Sequence, residues 1–176
     1  MDKKLIKAIL ILTMMIGLYL INNSLQSSYA SKLSSFFTME ENNILKIIIS
    51  SNQDAIELMR TDSLWVISGN DTLIVKENVI KNLFNKMQEL EQQHLVTSKK
   101  DNWENYGVTD IGGTHLAFIN LDGKTIAYYV FGQSTEEYNR CYVRTDQNSD
   151  VYLLNSNILY QLQVAPSFWG TKLETE

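Results

Sequence analysis

The stretch that decides the fold runs from His115 to Phe131 and reads HLAFINLDGKTIAYYVF. Residues 115–120 and 125–131 are rich in apolar, β-branched and aromatic side chains, which is typical of β-strands. Between them lies Leu121-Asp122-Gly123-Lys124, and Asp-Gly is the favoured centre of a two-residue hairpin turn. We therefore predict two antiparallel strands that follow each other directly.

Short strand-like runs of the same kind recur on both sides of this hairpin. Several of them alternate apolar and polar residues, which indicates strands with one buried face. The predicted strands are Leu45–Ile49, Ala55–Arg60, Leu64–Ile67, Thr72–Val75, Arg140–Arg144 and Val151–Leu154. They are close together in sequence, so we expect a largely antiparallel sheet.

One segment changes from the period of a strand to that of a helix. From about Asn78 to Gln93, apolar residues recur at three and four positions and form one wide stripe, with Leu83 and Phe84 at its centre. Asn78 has the side chain of an N-cap, and His94 then falls at the helix end, where a histidine is favourable. The predicted fold is α+β, a largely antiparallel sheet with one main amphipathic helix packed on it.

The first 25 residues predict a membrane anchor or a signal segment. Lys3, Lys4 and Lys7 precede an apolar run from Ala8 to Ile21 of 14 residues, and a transmembrane helix usually needs about 20. Positions 5–25 are long enough if the flanking residues reach the interface, and the lysines then stay inside. The alternative is a signal peptide cleaved near Ala30, after which the protein is secreted. We favour an uncleaved transmembrane helix, because the polar stretch before Ala30 is long for a cleavage region.

After the anchor, residues 26–35 predict a polar tether, 36–172 an extracytoplasmic domain and 173–176 a tail. Residues 31–176 contain 12 of the 15 basic and 19 of the 20 acidic residues, a net charge of −7. So acidic a domain repels phosphate backbones, which argues against a nucleic-acid partner. Cys141 is the only cysteine, so no disulfide forms within the chain, and we expect its thiol to pack as a small apolar group.

No motif for catalysis or for a cofactor survives inspection. Asp146-x-Asn148-x-Asp150 has oxygen ligands at alternate positions, but it lacks the glycine and the distant glutamate of a calcium loop. His94 and His115 have no neighbouring metal ligand, and no serine stands in a nucleophile elbow. We therefore predict no catalytic residue, no metal, no cofactor and no enzymatic activity.

Tyrosines crowd the two hairpins in the second half of the chain. Tyr128 and Tyr129 are adjacent, so a strand places them on opposite faces of the sheet. One face belongs to the core, and the other is able to present tyrosines to a partner, although cross-strand packing explains them as well. The candidate partner-binding residues are Tyr128, Tyr129, Tyr138, Tyr142 and Tyr152.

The order of these elements resembles the domain of unknown function 4340 family of bacterial envelope proteins. The resemblance extends from Phe36 to Lys172. It is carried by Ile47-Ile48-Ile49, Ile56–Arg60, Trp65-Val66-Ile67, the helix with Val79, Leu83 and Leu90, Tyr106-Gly107-Val108, Phe131-Gly132, Cys141–Arg144, Val151–Leu154 and Phe168-Trp169.

The resemblance implies structural roles and supplies no catalytic residue. Trp65 is expected in the core, Gly107 and Gly132 in turns, and Arg144 as a strand-end charge whose role the family leaves open. Cys141 departs from the family pattern, in which a residue such as tyrosine is expected.

The resemblance also implies a place in the cell. Family members look like single-pass proteins of the bacterial cytoplasmic membrane with a periplasmic domain, and some resemble partners of ABC-type transport components. The first hypothesis is therefore an accessory or interaction domain of an envelope transport assembly. The alternative is a binding module that takes a small ligand or an envelope polymer through its aromatic hairpins.

Overall fold

The computed structural model describes residues 12–19, 37–62, 64–146 and 148–172, which divide into two compact units at about residue 34. In the first unit, residues 12–19 form helix α1. Among the described residues, no helix has the length and apolar character that crossing a membrane requires. The predicted tether and tail, and most of the predicted anchor, lie outside the described residues.

The second unit is an antiparallel sheet with helices, as predicted. Its strands in the main sheet pair in the order β3-β2-β1-β6-β7-β8-β9-β5, and every neighbouring pair is antiparallel. The elements are β1 (Ile44–Ser51), β2 (Asp54–Thr61), β3 (Leu64–Ile67), β4 (Leu73–Val75), α2 (Glu77–Gln88), β5 (Gln92–Thr97), β6 (Thr114–Asn120), β7 (Thr125–Gln133), β8 (Cys141–Thr145), β9 (Val151–Leu154), α3 (Pro166–Trp169) and β10 (Gly170–Lys172). Three short 3₁₀ helices cover Glu41–Asn43, Lys100–Tyr106 and Leu159–Gln161.

Helix α2 packs on one face of the sheet, which we call the inner face. Leu83 and Phe84 are buried in its stripe, as the sequence predicts. The Phe84 ring lies 5.9 Å from Phe118 on β6, and Phe37 lies 5.1 Å from Phe118. Trp65 belongs to the same core and donates its indole N–H to the Glu41 carboxylate over 3.0 Å. The core is therefore continuous from the edge strand β3 to the helix.

The helix is shorter than its apolar stripe predicts. It begins after Lys76, which provides no side-chain cap, so the prediction that Asn78 caps it is wrong. It ends at Gln88, although Leu90 beyond it is still buried. Residues 92–97 instead pair with β9 as the edge strand β5, which places His94 in a strand and not at a helix end. Pairing with a neighbouring strand overrides the weak helical preference of this polar segment.

The hairpin between β6 and β7 closes differently from the prediction. Asn120 donates its N–H to the carbonyl of Lys124, so three residues form the loop and Asp-Gly is not a two-residue centre. Asn120 also accepts from the N–H of Gly123, whose φ is +76°. A three-residue loop needs a left-handed residue at this position, and glycine adopts that conformation without strain.

The end of the chain carries structure that the sequence does not predict. Leu159–Gln161 form a 3₁₀ turn, and Pro166 begins α3. The residues after α3 form β10, which pairs with β4 in a separate two-stranded sheet. The main chain of Lys76 donates to the carbonyl of Trp169, and the Lys76 ammonium donates to the carbonyl of Phe168 over 2.9 Å. These bonds tie the C-terminal segment to the start of α2.

Candidate functional site

The five candidate tyrosines do not form one surface. Tyr129 is buried in the main core, and burial raises the pKa of its hydroxyl to about 12. Tyr152 packs against the same core, whereas Tyr128 and Tyr142 lie on the opposite, outer face. Tyr138 is 74% exposed in the loop before β8. The structure therefore divides these tyrosines, with Tyr129 and Tyr152 at the main core and Tyr128 and Tyr142 on the outer face.

Tyr128 and Tyr142 belong to a second, smaller core on the outer face. The 3₁₀ helix Lys100–Tyr106 and the loop after it cover this part of the sheet. The Tyr106 and Tyr142 rings meet edge to face with centroids 4.9 Å apart. The buried members of this core are Trp103, Val108, Val130 and Val151. Tyr128 and Tyr142, which the sequence suggests as partner-binding residues, thus serve mainly in packing.

Arg144 links the sheet to the covering segment, which consists of the 3₁₀ helix Lys100–Tyr106 and the loop 107–113. Its side chain is buried, and its Nε donates to the carbonyl of Val108 over 2.6 Å. The guanidinium carbon lies 4.0 Å from the centre of the Trp103 ring, and one terminal nitrogen forms an ion pair with Asp110. A planar guanidinium is suited to bonding and stacking at the same time. The sequence signal for Arg144 was its position in a strand, which gives no hint of these three contacts.

A histidine and a tyrosine lie beside this arginine. The Nδ1 of His115 and the hydroxyl of Tyr128 are 2.6 Å apart on neighbouring strands. Burial lowers the pKa of His115, the charge of Arg144 lowers it further, and Asp110 partly opposes the change. Burial also raises the pKa of Tyr128. These groups therefore satisfy one another within the packed cluster.

The two predicted turn glycines have different roles. Gly107 ends the 3₁₀ helix with a φ of +62°, as a turn residue does. Gly132 is not in a turn, because it lies within β7. A Cβ atom at Gly132 would stand 1.9 Å from the carbonyl oxygen of Tyr106, so the two backbones meet only because the side chain is absent.

The thiol of Cys141 is buried in β8, as expected. Burial raises its pKa to about 11. A thiol that stays protonated at neutral pH is a poor nucleophile. Nothing about this side chain therefore indicates catalysis.

A groove of about 300 Å³ lies where the covering segment meets β7. Its lining combines one carboxylate, two amides and two hydroxyls with backbone and apolar atoms. The residues that line it are Glu104, Asn105, Gly107, Gly112, Thr114, Phe131, Gly132, Gln133, Thr135 and Leu159. We call it the glycine groove.

Within the part of the chain that the structure describes, no segment covers the other half of the outer face in this way. Alternation from the buried Trp65 and Ile67 places Leu64 and Val66 outward, and these side chains are 61% and 38% exposed. The strand register continues the outward row from Val66 through β2 and β1 to β6. We call this surface the outer strip, defined by Leu64, Val66, Met59, Ile48 and Ile119 with the ion pair Lys46–Glu57 among them.

One of three comparisons with known proteins gave a match. A family model described as Domain of unknown function (DUF4340) matches residues 65–172, more than half of the chain. The matched range runs from β3 to β10 and leaves residues 36–64 of the expected resemblance outside it. Neither the comparison with curated proteins nor the comparison with solved structures gave a match.

Proposed function

This chain belongs to the family described as Domain of unknown function (DUF4340), and on that premise we propose that it is a membrane-tethered interaction domain of the cell envelope. In this proposal the N-terminal segment is a single-pass anchor in the bacterial cytoplasmic membrane, and residues 36–172 stand on the periplasmic side. The domain supplies contacts to another envelope protein and no catalysis. Components of an ABC-type transport assembly are the first partners to test.

The outer strip is the observation that carries this proposal. Leu64 and Val66 lie on the edge strand β3, and Met59 and Ile48 are half-buried beside them. In the strand register, Val66 is paired with Met59 on β2, and Lys46 on β1 stands between Met59 and Ile119. Isolated apolar residues are ordinary on a surface, but apolar side chains grouped on one face of neighbouring strands with charged residues beside them are a feature of protein contact sites. The strip is part of a sheet, so its surface suits the broad face of another protein better than an enclosed small molecule.

An ion pair within the outer strip is able to fix the orientation of a partner protein on it. The Lys46 ammonium lies 2.9 Å from the Glu57 carboxylate, and both side chains are about one-third exposed or less. The hydrogen bond from Lys46 is the main cause that lowers the pKa of Glu57. Charged groups of this kind select among partners and fix register more than they increase affinity.

Co-purification from membranes tests the proposal. The tagged full-length protein would be recovered from mildly solubilised membranes, and the accompanying proteins identified by mass spectrometry. We expect a reproducible partner, lost in Val66→Arg because the charge cannot enter an apolar contact. Leu95→Arg is the matched control, because Leu95 is 47% exposed on β5 at the opposite edge of the sheet.

Two results would count against the proposal. One is recovery of the protein alone, above all as a soluble species that begins near Ser31. The other is a partner whose recovery is equally reduced by Val66→Arg and Leu95→Arg, because the outer strip would then have no special role. The intact mass of the purified protein decides between the uncleaved anchor and cleavage near Ala30 in the same experiment.

The alternative, a module that binds through its aromatic hairpins, stays a prediction with less support. Tyr128 and Tyr142 pack in the small outer core, and Tyr129 is buried on the inner side. A concave surface built from several hairpin tyrosines is therefore not what this part of the chain presents.

A further inference from the structure

The glycine groove is lined by polar side chains that the protein itself leaves available. Within the described residues, the side chains of Glu104, Asn105 and Thr135 form no hydrogen bond or ion pair, although all three line the groove. They offer a carboxylate, an amide and a hydroxyl, so both donors and acceptors face the space. From this lining we propose that the groove binds a neutral polyhydroxylated ligand, that is, a carbohydrate.

The charge of the lining argues against an anionic ligand. Among the residues that the structure describes, no lysine, arginine or histidine lines the groove, and Glu104 is the only charged residue that does. A phosphate or carboxylate ligand would be repelled by that group and would find no cation to pair with. Amides and hydroxyls make up the other polar lining, and they are able to donate to and accept from the hydroxyls of a sugar.

One of the amides is already held in place. The Nε2 of Gln133 donates to the carbonyl of Ser134 over 3.2 Å. Asn157 reaches the Oε1 of Gln133 over 3.4 Å and donates to the carbonyl of Tyr138 over 2.9 Å. Side chains fixed before binding lose less entropy when the ligand arrives. Asn157 also links the groove to the loop that carries Tyr138.

Exposed apolar side chains stand next to the groove along the chain. Ile111 precedes the lining residue Gly112 and is 85% exposed, and Tyr160 follows the lining residue Leu159 and is 65% exposed. Tyr160 belongs to the 3₁₀ helix Leu159–Gln161, and Tyr138 is a third large exposed side chain, in the loop that Asn157 contacts. Tyrosine suits the C–H face of a sugar ring because it has an apolar body and a polar tip. The volume of about 300 Å³ is at the lower end for ligand sites, with room for roughly one or two sugar rings.

Titration of the full-length protein by NMR tests this inference, which does not depend on the interaction proposal. The protein would be held in micelles of lauryldimethylamine oxide, because that detergent has no sugar head group. The probes are glucose, N-acetylglucosamine, maltotriose and tri-N-acetylchitotriose, with trilysine as the cationic comparison. We expect at least one of the sugars to shift the backbone amides of Gly107, Gly112 and Gln133 saturably.

Two matched variants decide whether the shifts report the groove. Asn105→Ala should weaken sugar binding about 3- to 10-fold, since it removes one hydrogen-bonding amide. Asn82→Ala makes the same change on the exposed face of α2 and should leave binding unchanged. The inference is overturned if no sugar gives saturable shifts at tens of millimolar, if Asn105→Ala binds as wild type does, or if only trilysine binds.

Discussion

Replacement of Arg144 by methionine should lower the free energy of unfolding of the domain by about 2–4 kcal/mol. The charge-assisted bond from Nε to the carbonyl of Val108 contributes about 1.5–3 kcal/mol. The contact with the Trp103 ring adds about 0.5–2 kcal/mol. Asp110 is 70% exposed, so its ion pair adds only about 0–1 kcal/mol. The desolvation cost of the buried guanidinium disappears with it, which places the net loss below the sum of these contributions.

Urea unfolding of the full-length protein in micelles, followed by tryptophan fluorescence, measures this loss. Trp103 touches the guanidinium, so its emission should also change in the folded Arg144→Met protein. Arg140→Met is the matched control. Arg140 precedes β8, its side chain is 33% exposed, and it pairs with the exposed Glu137 three residues earlier. The control should cost less than about 1 kcal/mol. A loss for Arg144→Met that is no larger than that of the control would refute the reasoning that Arg144 holds the covering segment.

Further predictions concern the core, the backbone and two titratable groups. Gly132→Ala should cost about 1–3 kcal/mol in urea unfolding, because its Cβ would meet the Tyr106 backbone, and unchanged stability would contradict that packing. Leu83→Asp should abolish the folded state seen by circular dichroism, since its side chain is fully buried; a folded variant would refute the packing of α2 on the sheet. The raised pKa of Cys141, about 11, predicts slow labelling by iodoacetamide until the protein unfolds, and Cys141→Ser should leave partner recovery intact. The pKa of His115 is lower in the folded protein than in the unfolded chain, so the unfolded chain takes up the proton first and stability falls as the pH drops from 7 towards 5; His115→Gln should show a smaller fall.

The sequence was enough to predict the central hairpin and the main helix, because both depend on local periodicity. The antiparallel hairpin at residues 114–133 and the buried stripe of α2 follow from periodicity, because a wrong register would expose the apolar side chains. Leu83 and Phe84 are therefore in the core as predicted, and Trp65 is there as the family resemblance implies. The edge strand β5 was missed because residues 92–97 have no clear alternation. Its pairing with β9, more than fifty residues later, is what makes it a strand.

The candidate sites depend on contacts between distant residues, which periodicity does not reveal. Arg144 meets Val108 and Asp110 across more than thirty positions of the chain. The family resemblance implies a turn at Gly132, whereas the structure shows that glycine is needed there because the Tyr106 backbone approaches it. The outer strip had a local signal in the alternation of β3, since Leu64 and Val66 alternate with the core residues of that strand. That signal indicates two apolar faces, but it does not say which one remains uncovered.

Photo-crosslinking in cells tests the central claim most directly. A p-benzoylphenylalanine residue would replace Val66 on the outer strip or, as the control, Leu95 on the opposite edge strand. The account predicts that position 66 forms a covalent adduct with one envelope protein and that position 95 does not. The same adducts from both positions, or none from position 66 in a folded and membrane-bound protein, would contradict it.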